Sequence, residues 1–232
     1  MTSPVNELAH ELPFDANDLF PHHLVGSYSY AAAKAHALMV DQHLGFSCDK
    51  IENKLCANAP KDQSSSKPQE CWEGLDVQSF QTPYVEIRTI LELMHLQPGQ
   101  MVIDLGCAYG RVAHVLGKHF PENGLIGYEL VKERVGEAQR VLHPFHYPLT
   151  RIEVRDLFDQ EPEPASHYFI YDFGSQRAIQ KTLEDLREIA RKQKIQIVAR
   201  GRGSRALIHQ NHAWLTDIET PQHYPHFSIY HS

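Results

Sequence analysis

Two carboxylates and a run of small residues are the groups of this chain best placed to do chemistry. Asp104 stands two residues ahead of Gly106 in Val102-Ile103-Asp104-Leu105-Gly106-Cys107-Ala108-Tyr109-Gly110, and Glu129 follows Gly110 by 19 residues, closing Leu125-Ile126-Gly127-Tyr128. Gly106 and Gly110 permit a turn that residues with a Cβ resist, and let a ligand approach the main chain. A helix restarting at Arg111 presents unpaired N–H groups and the positive end of its dipole. Asp104 adds a negative charge beside that donor set. The mixture suits a ligand with both an anionic carboxylate and a cationic centre, whereas a pyrophosphate would disfavour the acid. An acid about 20 residues past a glycine turn holds a ribose diol in dinucleotide-binding folds, and one carboxylate can accept from two hydroxyls at once.

Positioning these groups requires strands that end beside one another. Val102–Leu105, Leu125–Glu129, Arg151–Val154, Tyr168–Tyr171 and Ile195–Ala199 are apolar or β-branched runs of strand length. Between them lie helical patterns: Ile87, Ile90, Leu91 and Met94 share one face ahead of the first strand, Val135, Ala138 and Leu142 one face of Lys132–Leu142, and Ile179, Leu183, Leu186 and Ala190 one face of Arg177–Lys192. Pro83 falls near the first turn of the earliest of these helices, where a missing N–H costs nothing. Trp214–Glu219 and Phe227–Tyr230 read as a closing hairpin. The alternation predicts an α/β fold: a seven-stranded, mainly parallel Rossmann-like sheet with helices on both faces and a C-terminal β-hairpin. Ligands bind such sheets at the carboxyl ends of the strands, where Asp104, Glu129, Asp156 and Asp172 are all expected.

The spacing Asp104-x-Gly106-x-Ala108-x-Gly110, with Glu129 at the next strand end, resembles the class I S-adenosylmethionine-dependent methyltransferases. That family usually has Gly where Ala108 stands. S-adenosyl-L-methionine carries a carboxylate, an ammonium and a sulfonium, and the resemblance implies it as cofactor. It further places Thr82, Tyr84, Asp104, Gly106, Cys107, Ala108, Gly110, Arg111, Glu129, Leu130, Asp156, Leu157 and Asp172 around that cofactor. Gln81-Thr82-Pro83-Tyr84 ahead of the first helix, with Leu96-Gln97-Pro98-Gly99 leading into the first strand, is similar to the seven-strand protein-lysine methyltransferases, both those related to disruptor of telomeric silencing and those acting on the ATP-synthase c-subunit. In those enzymes the Thr-Pro segment folds over the cofactor. The turn Arg155-Asp156-Leu157-Phe158 resembles their adenine-contacting turn, and Tyr171-Asp172-Phe173-Gly174 their loop for the target amine. The similarity spans roughly residues 80–205.

On this resemblance the reaction is methyl transfer to a protein lysine, in a channel walled by Tyr84, Tyr171, Asp172 and Phe173. A lysine ammonium has an unperturbed pKa of about 10.4 and must lose a proton to attack. A desolvating channel beside a sulfonium lowers that value, so no dedicated base is obligatory. Two alternatives stay open: a small-molecule or RNA methyltransferase on the same fold, and a catalytically silent cofactor-binding module. Nucleic-acid amine methylators often carry an Asn/Asp-Pro-Pro-aromatic turn, and Asp172-Phe173-Gly174-Ser175 lacks both prolines. Arg200, Arg202 and Arg205 could still meet phosphates. A nicotinamide dehydrogenase is excluded by the absence of Gly-x-Gly-x-x-Gly at this turn.

Composition sets wider bounds. The chain has 232 residues, 42% of them hydrophobic, and a formal net charge of −7. That suffices for a packed core, fits a cationic partner such as a lysine-rich peptide, and gives no global support for nucleic-acid binding. Residues 1–80 read as an N-terminal extension or lid, with a helix within 28–44 and an exposed Pro/Ser/Lys/Gln-rich loop at 57–70. Residues 81–232 form the methyltransferase domain. Cys48, Cys56 and Cys71 match no common zinc-ligand spacing and read as reduced thiols, so no metal is expected. With no apolar run of membrane-spanning length and no signal peptide, a cytoplasmic, non-membrane protein is expected. The paired histidines His209/His212 and His223/His226 read as surface or packing residues.

Overall fold

Strands covered on both faces read as near-continuous apolar runs, and the central strands of this chain do so. In the computed structural model, which describes residues 11–58 and 76–232, the first five strands are β1 (Met101–Leu105), β2 (Gly124–Glu129), β3 (Thr150–Val154), β4 (His167–Tyr171) and β5 (Gln196–Arg200). The edge strand β3, by contrast, alternates and is largely exposed. Two more, β6 (Gln222–His223) and β7 (Phe227–His231), complete a seven-stranded sheet of order β3-β2-β1-β4-β5-β7-β6. The first five strands pair in parallel; β7 runs antiparallel to β5 and to β6. The chain winds outward from β1 to β3 and then returns to place β4 on the other side of β1. Asp104 therefore sits opposite Gly127 on one neighbour and Phe169 on the other. This reversal opens a crevice at the carboxyl ends of the strands.

Helices α1 (Tyr30–Leu44), α2 (Cys48–Asn58), α3 (Tyr84–Leu93), α4 (Arg111–His119), α5 (Lys132–Leu142), α6 (Gln176–Ala190) and α7 (Arg202–Asn211) surround the sheet. One face packs Val102, Leu125, Phe169 and Val198 against residues of α1, α3, α4 and α5. The other packs Ile103, Ile126, Ile170 and Ile197 against α6 and against Ile208 of α7. Ser29 caps α1 by accepting from the Ala32 N–H at 3.1 Å, and Ser175 caps α6 by accepting from Ala178 at 3.2 Å. No described helix is long and apolar enough to cross a membrane.

Three segments depart from the sequence expectation. Trp214–Glu219 is not a strand. The backbone N–H groups of Leu215, Thr216 and Asp217 bond back to His212 and Ala213, closing a turn over Ala213–Leu215. Those donors are unavailable to a ladder, and the hairpin's first strand is the short β6. Arg202 and Arg205 lie on α7, where no helix was expected, its start disguised by Gly201 at the cap and Gly203 in the first turn. Finally, α2 extends to Asn58, inside the expected loop; the remainder of that loop and Cys71 lie outside the described residues.

Candidate active site

The turn after β1 is built from main-chain bonds before any side chain contributes. The N–H groups of Gly106 and Cys107 both donate to the Tyr128 carbonyl, at 2.9 and 2.8 Å, so the end of β2 fixes the start of the turn. Gly106 has φ +83°, and a Cβ there would collide with Phe173, whose ring closes over the turn from the loop after β4. Ala108 has φ +48°, a left-handed conformation that costs an L-residue about 1–2 kcal/mol. This is the position where the resembling family uses Gly. Its N–H donates to Glu129 Oε2 at 3.0 Å.

The two acids are held differently. Glu129 is 7% exposed, and its Oε1 accepts from the Val131 N–H at 2.9 Å, with Arg134 Nη1 at 3.5 Å. Oε2, which among the described residues accepts only from Ala108, keeps a further lone pair for a ligand hydroxyl. Asp104 is 4% exposed, and among the described residues no donor reaches its carboxyl. Burial, reinforced by the Glu129 charge, pushes its pKa up to about 8. An unpaired buried carboxyl of this kind is the partner a cation completes.

A half-open cleft, with about 300 Å³ of space when open solvent is included, lies against Asp104 and the turn. Of the residues expected at the site, it brings together Thr82, Asp104, Gly106, Cys107, Ala108, Arg111 and Tyr171. It also recruits Phe80, Gln81, Ile87, Val112 and Phe169, which sequence reasoning missed. Gln81 adjoins the Thr82-Pro83 segment, and that adjacency was the available signal for it.

The other expected residues, Glu129 and Phe173 among them, lie outside the cleft lining. Gly110 caps α4 at φ +75°. Leu130 is half-buried behind Glu129. Asp156 accepts from the Phe158 N–H at 2.9 Å within its own turn, and Leu157 is buried in the core. Tyr84 is fully buried beneath the cleft, its hydroxyl donating to Asp41 at 2.8 Å. Asp172 turns away to cap α7, accepting from the N–H groups of Ser204 (2.7 Å) and Gly203 (3.0 Å) and from the Ser204 hydroxyl. Tyr171 remains at the cleft, with its hydroxyl donating to the Ser79 carbonyl at 2.8 Å and the Arg200 guanidinium 4.4 Å from its ring centroid. Arg200 in turn makes a buried pair with Glu86, both bonds 3.1 Å.

The N-terminal region supplies a second tier that no sequence spacing announced. Asp41 of α1 receives Arg111 Nε at 3.2 Å and a second, shorter bond from Nη2, and it accepts Gln78 Nε2 at 3.0 Å. Glu52 of α2 holds Arg134 through two bonds of 2.8 and 3.0 Å and accepts the Tyr109 hydroxyl at 2.7 Å. Asp41 and Glu52 thus fix both arginines that border the turn.

Neither a family model nor a curated protein sequence matches this chain. Among solved structures, precorrin-6y C5,15-methyltransferase from Geobacter metallireducens superposes over 68% of this chain and 92% of its own, at 15% identity and a TM-score of 0.50. The chain has the methyltransferase α/β fold. An RNA methyltransferase from Salinibacter ruber, solved with S-adenosyl-L-homocysteine, aligns over 65% of this chain and 91% of its own at 20% identity and a TM-score of 0.47. PKMT2 from Rickettsia typhi aligns over 48% of this chain at 18% identity and a TM-score of 0.39, and this chain spans only 24% of that protein's length.

Proposed function

We propose that this protein is an S-adenosyl-L-methionine-dependent methyltransferase acting on a side-chain amine of a protein, a lysine. The observation that carries the cofactor assignment is the unpaired, buried Asp104 carboxyl beside the Gly106–Gly110 turn and the start of α4. That donor and acceptor set fits a ligand bearing an ammonium, a carboxylate and a ribose: Asp104 for the ammonium, the α4 N-terminus for the carboxylate, Glu129 for the ribose hydroxyls. When bound, the cofactor supplies an electrophilic methyl group.

The chain's own residues then position the acceptor and exclude water, which can supply up to roughly 7–11 kcal/mol of the barrier. Phe80, Ile87, Phe169 and Tyr171 give the cleft a largely apolar wall. Such a wall disfavours an ammonium and favours the neutral amine that attacks. Asp172, committed to α7, does not hold the acceptor in its charged form. The region through residue 80 serves as a flank and lid, with Phe80 closing one side of the cleft and the Tyr171–Ser79 bond tying the lid down.

The test pairs binding with transfer. Calorimetric titration should show S-adenosyl-L-homocysteine binding to the wild type and at least tenfold weaker binding to Asp104→Ala. Incubation with methyl-labelled cofactor and a proteome extract should label protein lysines. Equal affinity in the variant refutes the cofactor placement, and label confined to RNA or small molecules refutes the acceptor.

A further inference from the structure

Arg200 ends β5 directly across the parallel ladder from Tyr171, which ends β4, so their side chains leave the same face of the sheet. Arg200 and Glu86 are each 3% exposed. The guanidinium donates to both Glu86 oxygens at 3.1 Å, and Nη2 also donates to the Tyr30 hydroxyl at 3.0 Å. Two rings border it, Tyr30 with its centroid 5.6 Å away and Tyr171 at 4.4 Å. Tyr30 in turn packs on His226 at 4.8 Å. A buried ion pair is weak as a source of stability, since apolar residues of the same volume do as well or better. What this pair does hold is its neighbours, and one of them, Tyr171, lines the cleft.

Resting on the acceptor reading above, we infer that Arg200 is a positioning residue for methyl transfer: braced by Glu86, its guanidinium fixes the Tyr171 ring that walls the acceptor. The ring is restrained at two places, its face by Arg200 and its hydroxyl by the Ser79 carbonyl at 2.8 Å. Arg200 itself lies outside the cleft lining and acts only through that ring. Ile87, the residue after Glu86, lines the cleft directly, so one turn of α3 supplies one wall and braces another. A ring released from the guanidinium turns about its side-chain bonds, which widens the cleft and misplaces the amine. Misplacement by about 1 Å costs up to roughly a hundredfold in rate. Lysine cannot take this part, because it keeps the charge but lacks the flat fork that grips a carboxylate and stacks on a ring.

The experiment compares the full chain with the charge-free double variant Glu86→Leu/Arg200→Met and with Arg200→Lys. Each protein is made with fluorotyrosine, and the Tyr171 fluorine resonance is assigned as the one lost in Tyr171→Phe. The wild type should give one narrow Tyr171 line, and both variants should shift or broaden it. At saturating methyl-labelled cofactor, transfer to protein in a proteome extract should fall about tenfold or more in both. The Kd for S-adenosyl-L-homocysteine should stay within about threefold of the wild type. The double variant should melt with the wild type, because apolar replacement of a buried pair is often neutral, and this separates positioning from stability. An unmoved line or an unchanged rate overturns the inference, as does a cofactor affinity that falls in step with the rate. If the double variant unfolds, Arg200→Lys decides by the same readouts. If the wild type binds S-adenosyl-L-homocysteine but labels no protein, the acceptor reading has failed. The fluorine line then decides alone: a moved line sustains the hold of Arg200 on the ring, and an unmoved one overturns it.

Discussion

Replacing Asp41 by Ala removes the acceptor around which α1, α3 and α4 converge. Asp41 is 5% exposed and Arg111 is 3% exposed. Truncation strands a guanidinium and also the Tyr84 hydroxyl, whose bond to Asp41 is 2.8 Å. Breaking a buried ion pair from one side costs about 3–5 kcal/mol, because the remaining charge keeps its desolvation penalty. Here Arg111 retains Gln78 Oε1 at 2.6 Å and the Thr82 carbonyl at 3.2 Å, so the lower end, about 3 kcal/mol, is expected. With a urea m-value of roughly 2–3 kcal/mol/M, the denaturation midpoint should fall by about 1 M or more. Adding Arg111→Met to Asp41→Ala should recover part of the loss, since it removes the uncompensated cation. A single-variant loss under about 1 kcal/mol, or a double variant whose losses simply add, would refute the claim that this pair joins the N-terminal region to the turn.

Further outcomes follow from the same geometry. Burial and the Glu129 charge push the Asp104 carboxyl from its ordinary 3.8 up to about 8 in the folded chain, so the native state retains a proton the unfolded chain releases and stability falls as pH rises from about 4 to 8. Denaturation of Asp104→Asn across that range should lack this fall. Titrations of S-adenosyl-L-homocysteine in two buffers of different ionisation enthalpy should show proton release and tighter binding as pH rises from 6 to 8; binding without a pH dependence argues against an ammonium at Asp104. His114, buried against Phe46, Phe145 and Tyr147, has its pKa lowered to about 4 by desolvation. Its contribution to stability is therefore lost as pH falls from 6.5 to 4, and His114→Leu should reduce the acid-induced loss by about 2 kcal/mol, read from urea midpoints at pH 7 and 4.5. Glu52→Gln should free Arg134 to neutralise Glu129 and weaken S-adenosyl-L-homocysteine binding about tenfold; an unchanged dissociation constant would show that Glu52 does not govern the ribose acid.

The parts of this molecule legible in the sequence are those governed by local rules. Helix Lys132–Leu142 has the bounds its periodicity indicates, and the apolar runs of β1, β2 and β4 announce a doubly covered sheet. Asp104 and the small-residue turn were legible because their spacing reflects backbone requirements at Gly106 and Gly110. Side-chain commitments over long separations were not legible. Asp172 follows a strand, as a substrate-facing acid would, yet it caps a helix that begins 30 residues later. Helix α7 was not legible because Gly201 at its cap and Gly203 in its first turn resemble a loop, and the carboxylate that compensates for them, Asp172, lies after β4. Tyr84 has the composition of a channel wall, but Asp41, 43 residues upstream, holds its hydroxyl under the cleft.

The ties between the N-terminal helices and the turn bear on how the chain acquires its shape during synthesis. Asp41 and Glu52 are translated before Arg111 and Arg134, their partners 70 and 82 positions later. Until the β1–α5 unit has emerged, both acids have only water to solvate them, and α1 has little surface to pack against. Contacts of such separation slow folding because loop closure precedes their reward. Helices α1 and α2, although synthesised ahead of the sheet, are thus among the last elements to settle, and a ligand-competent turn should appear only once that docking is done.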